Sequence, residues 1–315
     1  MTLLDNLGAM LGDPLMQRAL VAAVLVGLAA PVVGTYLVQR RLSLLGDGIG
    51  HVALTGVALG WLISNAMGLV PSDTLAVPGA IVTAVIGSVV IEIVRERGTT
   101  SGDVALALLF YGGIAGGVLL IKVAGGTSAS LVGYLFGSIS TVTRSDVAMT
   151  VVLAALILLV GIGLRSALFA VSHDEEFAKA SGLPVRALNV AIAVIAALTV
   201  TVAMRVVGVL LVSALMIVPV AVSQLVARSF KGTMRLAMVI GVTVSVVGLS
   251  ITYFQDLSPG ATIVVLAITL YAVVAVARPL VRRNEWRDPH PEIDDDVELA
   301  RERGEAAPED QEAQR

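Results

Sequence analysis

The sequence predicts an all-α membrane protein, a polytopic bundle of about eight to nine transmembrane helices, and three observations carry that prediction. Hydrophobic residues make up 57% of the 315 positions and charged residues only 14%, well under the quarter or so typical of a soluble domain. Such a chain has too few polar groups to cover itself in water, and lipid is the solvent that suits it. The apolar residues gather in runs of about 20, the length at which a helix crosses a hydrocarbon core. The alternating pattern of a membrane barrel is missing, which leaves helices as the elements that satisfy their own backbone in lipid.

Nine runs qualify, roughly 15–38, 52–70, 76–94, 104–122, 146–164, 187–204, 206–227, 235–254 and 260–277. Asp5 and Asp13 precede the first and no basic segment leads it, so the start does not read as a secretory signal. Cations set the orientation. Arg40 and Arg41, Arg95 and Arg97, then Arg165, Lys179 and Arg186 follow alternate runs. So do Arg228, Lys231 and Arg235, and finally Arg278, Arg282 and Arg283. All fall on one side if the N-terminus is outside and the C-terminus cytoplasmic. The other side has only the scattered Arg18, Lys122, Arg144 and Arg205.

Between the runs, the Gly- and Ser-rich stretch 124–145 has an apolar centre, Leu131 to Phe136. It is too short to span and reads either as a re-entrant segment covered by protein or as an ordinary outer loop. Gly112, Gly113, Gly116 and Gly117 inside the fourth run predict tight helix packing. The chain divides into a transmembrane domain over 1–283 and an acidic tail over 284–315. The tail has too few apolar residues to bury a core.

The sharpest candidate for chemistry is the pair Asp47 and His51, in Gly46-Asp47-Gly48-Ile49-Gly50-His51 at the start of the second run. On a helix they lie four apart on one face, and the glycines suggest a loosened or broken helix lining a cavity. Ionisable residues at membrane depth point to function, and a carboxylate with an imidazole suits zinc or manganese. The competing reading places both in an inner loop, touching water. His51 must be neutral to bind a metal, so binding is expected to weaken in acid.

In the loop 165–186, Ser172 and Glu175 have capping-box spacing, and Gly182 with Pro184 is a helix stop. One short helix is expected between them, bearing Phe177, Ala178 and Ala180. It is too short to stand alone in water and so docks on the protein itself or on a partner. Pro219, in the seventh run, is a hinge candidate or merely a kink. Pro259 reads as a helix start. His173, His290 and Arg205 read as loop or tail residues, and Glu92 as a carboxylate near the inner interface.

Several classes are unsupported. There are no cysteines, so no disulfide framework or thiolate metal site, and no strongly basic face for nucleic acid. No Walker G-x-x-x-x-G-K-[ST], nucleophile elbow or HExxH occurs in the sequence. The chain is therefore expected not to be an enzyme, with ATP, if used, bound by another chain.

Four segments carry a resemblance. They are Arg40-Arg41-Leu42-Ser43-Leu44-Leu45-Gly46-Asp47 with His51 and Gly56, Asp174 through Pro184, Val207-Gly208 through Pro219, and Ser258-Pro259-Gly260-Ala261-Thr262. The chain resembles the permease subunits of ABC-type zinc, manganese and iron importers, the ABC-3 family, over nearly all of residues 10–280. The resemblance implies a type II importer fold. It implies a pair of permeases with two cytoplasmic ATPases and an extracellular solute-binding protein that delivers the metal. It associates Asp47 and His51 with the metal pathway. It makes the segment Glu175, Glu176, Phe177, Ala178, Ala180, Gly182 and Pro184 the coupling helix that meets the ATPase. Glu176, Ala178 and Gly182 keep the spacing of the Glu-Ala-Ala signature, with Phe177 replacing its first Ala. Gly48 and Gly50 stand where relatives often have Ala and Ser. No cofactor is expected to be held permanently. The cargo is zinc or manganese, possibly iron, moved by alternating access through the cell membrane. A secondary transporter, or a type II permease for a siderophore or vitamin, is the alternative.

Overall fold

The computed structural model describes residues 3–69, 74–98, 102–125, 133–137, 142–204, 208–255 and 257–282. The helices are α1 (Leu3–Gly12), α2 (Pro14–Gln39), α3 (Leu45–Ala66), α4 (Ala76–Arg97), α5 (Gly102–Val123) and α6 (Arg144–Gly163). Then follow α7 (Arg165–His173), α8 (Glu175–Ala180), α9 (Val185–Ala203), α10 (Val209–Val226), α11 (Phe230–Phe254) and α12 (Pro259–Arg282). No strand occurs among the described residues. Met1–Val274 form one compact unit. Ala275–Arg315 form a second, described only through the last turns of α12. The acidic stretch 284–315, with His290, lies outside the described residues, as does Arg205.

Each of the nine apolar runs lies on a helix: α2 to α6 and α9 to α12. Among the described residues eight helices are long and apolar enough to cross a membrane, and the chain is a multi-pass membrane protein. The remaining apolar helix is α10, Val209–Val226. Gly208, at φ +90°, precedes it and is pressed against the backbone of Leu135, Phe136 and Gly137, within the described residues 133–137. Their Tyr134 ring meets Trp61 edge-on at 5.8 Å between centroids. This part of the Gly/Ser-rich stretch is half-buried against α3 and the start of α10, with Phe136 exposed. Its remainder, at 126–132 and 138–141, lies outside the described residues.

Local sequence fixes the helix ends. Asp13 caps α2, accepting from the Leu15 N–H at 2.8 Å, with Pro14 in the first turn. Thr143 and Asp146 form a reciprocal capping box on α6. Ser229 caps α11, and Gly98, left-handed at φ +64°, ends α4. Between α2 and α3 the chain turns through Arg41, which takes φ +58° while the Leu42 N–H reaches back to the Leu37 carbonyl at 2.8 Å.

In lipid, helices associate through close packing of small residues rather than through burial of apolar surface. A Cβ on Gly56 would collide with Thr83 Oγ1 and the Gly79 carbonyl, and one on Gly60 with the Leu75 carbonyl. These contacts set α3 directly on α4. Gly34 of α2 lies on the Met216 carbonyl of α10, and Gly27 of α2 on Gly241 of α11. Gly113, Gly116 and Gly117 of α5 abut His51, Thr55 and Leu54 of α3, whereas a Cβ on Gly112 would meet nothing within 4 Å. The innermost helices are α2 and α9, each with 72% of its apolar window buried, against 22% for α5 and 17% for α12. The outer helices leave Leu108, Leu159 and Val265 exposed for lipid or another chain.

Candidate functional site

Asp47 and His51 both lie in the first two turns of α3, which runs unbroken from Leu45. The expected break at the glycines is absent, and the reason is packing. A Cβ on Gly46 would touch Met216 at 3.5 Å, one on Gly48 would touch Leu109 at 3.3 Å, and one on Gly50 would press into Val209 at 2.7 Å. The missing side chains let α10 and α5 close on the start of α3, and that contact holds the helix straight.

His51 is 4% exposed. The Phe110 ring meets it edge-on at 4.7 Å, and Gly113 lies against its backbone. Neither Nδ1 nor Nε2 has a hydrogen-bond partner among the described residues. Buried polar atoms are nearly always paired, so two free nitrogens on one buried ring call for an absent partner. Asp47 Oδ1 stands 3.9 Å from His51 Nε2, too far for a hydrogen bond. Two ligands about 2.1 Å from one ion stand roughly 3.0–3.4 Å apart at octahedral to tetrahedral angles, so a closure of about half an ångström would let them share an ion. The Ser213 hydroxyl of α10 donates to Asp47 Oδ1 at 3.3 Å. The carboxylate lines a cavity of about 320 Å³ with Leu44, Leu106, Ala107, Phe110 and Tyr111. Among the described residues no third His, Cys, Asp or Glu joins the pair.

A second polar cluster lies where α4 meets α8. The Arg40 guanidinium is 3.4 Å from Glu92, with both side chains buried. Arg95 reaches Glu92 at 3.5 Å and Glu175 of α8 at 3.6 Å, and Lys179 bonds Glu175 at 3.0 Å. Arg186 meets Glu96 at 3.2 Å. These charges border a crevice of about 460 Å³ that reaches Asn189. Glu92 therefore faces two arginines rather than a pore. Burial pushes the Glu175 carboxyl up, but the hydrogen bond and charge of Lys179, with Arg40 and Arg95, outweigh it and hold the group below its usual range.

The α8 helix covers Glu175–Ala180, and its cap differs from expectation. Asp174, not Ser172, accepts from the Phe177 N–H, at 2.9 Å. Ser172 belongs to α7 and is buried there. Asp174 lies closer to the first turn and is free of that helix. Gly182, at φ +77°, and the Leu183 N–H bonding the Ala178 carbonyl at 3.1 Å close the helix. Ala178 faces inward while Glu176, Phe177 and Ala180 are exposed, Phe177 by 64%. His173 is exposed, stacks on Phe169 and meets Gln39 at 3.1 Å. Pro219 sits inside α10, and the Ser223 hydroxyl donates to its carbonyl at 2.7 Å. Pro31 and Thr35 repeat this arrangement in α2.

Residues 12–278 match the ABC 3 transport family. The chain belongs to that family. Among its curated relatives is "Manganese transport system membrane protein MntC" of Halalkalibacterium halodurans, 31% identical over 274 residues, covering 86% of this chain and 91% of the relative. Another is "Manganese import system permease protein ScaB" of Streptococcus parasanguinis, 31% identical over 270 residues, covering 86% and 93%. Among solved structures the fold matches "PsaBC from Streptococcus pneumoniae in complex with Fab" with a TM-score of 0.75 and 32% identity, over 87% of this chain and 95% of that one. The chain thus has the fold of an ABC importer permease, and the two curated relatives named here are membrane proteins of manganese transport systems.

Sequence reading missed three features here: Ser213, the Phe110 wall and the Arg40–Glu92 pair. A lone serine amid the apolar residues of 209–218 was the only local signal of the first. The other two depend on contacts between distant segments.

Proposed function

We propose that this chain is the membrane-spanning subunit of an importer for a divalent transition metal, manganese first, with zinc and iron as competitors. The observation that carries the reading is His51, buried with both ring nitrogens unpartnered, 3.9 Å from the Asp47 carboxylate. A nitrogen and an oxygen ligand suit manganese or zinc, and the relatives named above are manganese systems. Two ligands hold an ion loosely, which favours release. A second copy of the chain would bring a second pair, and the exposed Leu44 and Tyr111 lining the cavity favour a homodimer.

In this reading the N-terminus is outside and the loop 165–186 is cytoplasmic. The exposed face of α8, with Glu176, Phe177 and Ala180 ahead of Gly182 and Pro184, docks on an ATPase that binds the ATP. An extracellular binding protein supplies the ion. Alternating access follows as α8 is displaced, with Pro219 a hinge in α10. Residues 1–283 form the permease domain and 284–315 a cytoplasmic tail.

The test is uptake into proteoliposomes that contain the chain with its partner ATPase, with binding protein and ATP supplied, counting manganese, zinc and iron by mass spectrometry. ATP-dependent uptake that Asp47→Ala and His51→Ala each abolish is the expected result. Uptake unchanged in both variants would refute the site, and uptake without the ATPase would refute the ABC mechanism.

A further inference from the structure

Hydroxyls in the helices of this protein mostly turn back on their own backbone. Thr35, Thr199, Ser223, Thr243 and Ser250 each donate to the carbonyl four residues earlier, at 2.7 to 2.8 Å. That is the ordinary resting place of a helical hydroxyl with no water nearby. Ser213 departs from it. It is 8% exposed, and its hydroxyl crosses from α10 to the Asp47 carboxylate of α3. The crossing depends on Gly46 and Gly50, whose missing side chains bring α10 against α3. The oxygen it holds, Oδ1, is the one that faces His51 Nε2 at 3.9 Å.

Resting on the metal reading of Asp47 and His51, we infer that Ser213 is a positioning residue for the metal site. Its hydroxyl fixes the rotation of the Asp47 carboxylate so that Oδ1 stays turned toward His51. The bond is 3.3 Å long, whereas a hydroxyl on a carboxylate usually settles near ~2.6 Å. It is therefore slack enough to let the carboxylate swing the short distance to an ion without being torn free. Ser213 rides on α10, six residues before Pro219. The affinity of the site then depends on where α10 stands relative to α3: firm while α10 is docked, weak once it moves away. Metal release is thereby tied to a helix that contributes no ligand of its own.

The experiment is equilibrium binding of Mn²⁺ to the purified full chain with its partner ATPase, without nucleotide, read from the loss of the free-ion paramagnetic resonance signal. Variants that remove one group from a carboxylate-positioning shell lose about 10- to 100-fold in metal affinity. With so loose a bond, Ser213→Ala is expected at the low end, about tenfold weaker. Ser245→Ala is the control, since Ser245 is a fully buried hydroxyl on α11 with no hydrogen-bond partner among the described residues. It should leave affinity unchanged, and Asp47→Ala should abolish binding. Native affinity in Ser213→Ala, with binding lost in Asp47→Ala, would overturn the role of Ser213 and leave the site standing. Equal weakening by Ser213→Ala and Ser245→Ala would also overturn it, as an effect of packing alone. Native binding in Asp47→Ala, or no binding by the unaltered chain, would overturn the metal reading and this inference with it.

Discussion

Glu92→Gln tests the ion-pair cluster around Arg40. The substitution keeps the size of the side chain and removes its charge. It strips Arg40 of its 3.4 Å partner, in a place where the two side chains are only 4% and 7% exposed. Burial, followed by the charge of Arg95, already pushes the Arg40 guanidinium below its ordinary range, and Glu92 is foremost among the groups that offset this. Removing one partner of a buried pair costs about 3–5 kcal/mol, because the other charge is left unmatched. Arg95→Gln is the comparison. Arg95 is 27% exposed, its loss leaves Glu92 on Arg40, and solvent reaching its guanidinium brings the pair toward the ~0–1 kcal/mol of a surface pair. The two variants should therefore differ by about 2 kcal/mol or more, with Glu92→Gln the less stable. Heating the detergent-purified chain and following the surviving monodisperse peak by gel filtration would rank them. The double variant Arg40→Met with Glu92→Gln should regain most of the loss, since it leaves no charge stranded. Equal stability of Glu92→Gln and Arg95→Gln, or a double variant worse than either single change, would refute the argument.

Other outcomes follow from the same contacts. Gly113→Ala places a methyl 2.7 Å from the His51 backbone and should sharply reduce metal uptake, whereas Gly112→Ala meets nothing within 4 Å and should match or slightly exceed native stability; uptake and melting of both variants check this. The Glu175 carboxyl lies below its ordinary 4.5 in the folded chain. Its contribution to docking α8 is therefore complete above pH 4.5 and is lost as pH falls through the lower folded value. A spin label on Ser181→Cys, in a chain with no native cysteine, should stay ordered at neutral pH and loosen only in acid. The same cysteine should react with an impermeant thiol reagent only from the cytoplasm, and Gly12→Cys only from outside. The reverse pattern would invert the proposed orientation.

The spans were legible in the sequence because lipid makes length and composition decisive. Nine apolar runs became nine helices, and Asp47 and His51 fell on one face of α3 by spacing alone. The glycines around them misled. Gly46, Gly48 and Gly50 read locally as weak points in a helix, but their meaning lies in α10 and α5, which the sequence places far away. Ser172 misled for the opposite reason. The capping-box spacing was present, but Asp174 stood nearer the turn and Ser172 was already inside α7. Neither α1 nor α7 was expected as a helix of its own, since at 10 and 9 residues both fall well short of the apolar run that marks a span. Glu92 lies near the C-terminal end of α4, as its place in the third run predicted, yet its two arginine partners are Arg40, 52 residues earlier, and Arg95, in the next turn of its own helix.

The contact of α3 with α4 has a mechanical consequence. At Gly60 the two backbones meet directly, against Leu75, and at Gly56 the Gly79 carbonyl and the Thr83 hydroxyl fill the gap that a Cβ would need. Contacts this close leave the two helices little room to slide, so α3 and α4 make one stiff body. It carries Arg95, which rests on Glu175 of α8, near one end, and Asp47 in the first turn of α3. If α8 moves as proposed, the displacement should reach the Asp47 carboxylate through that body.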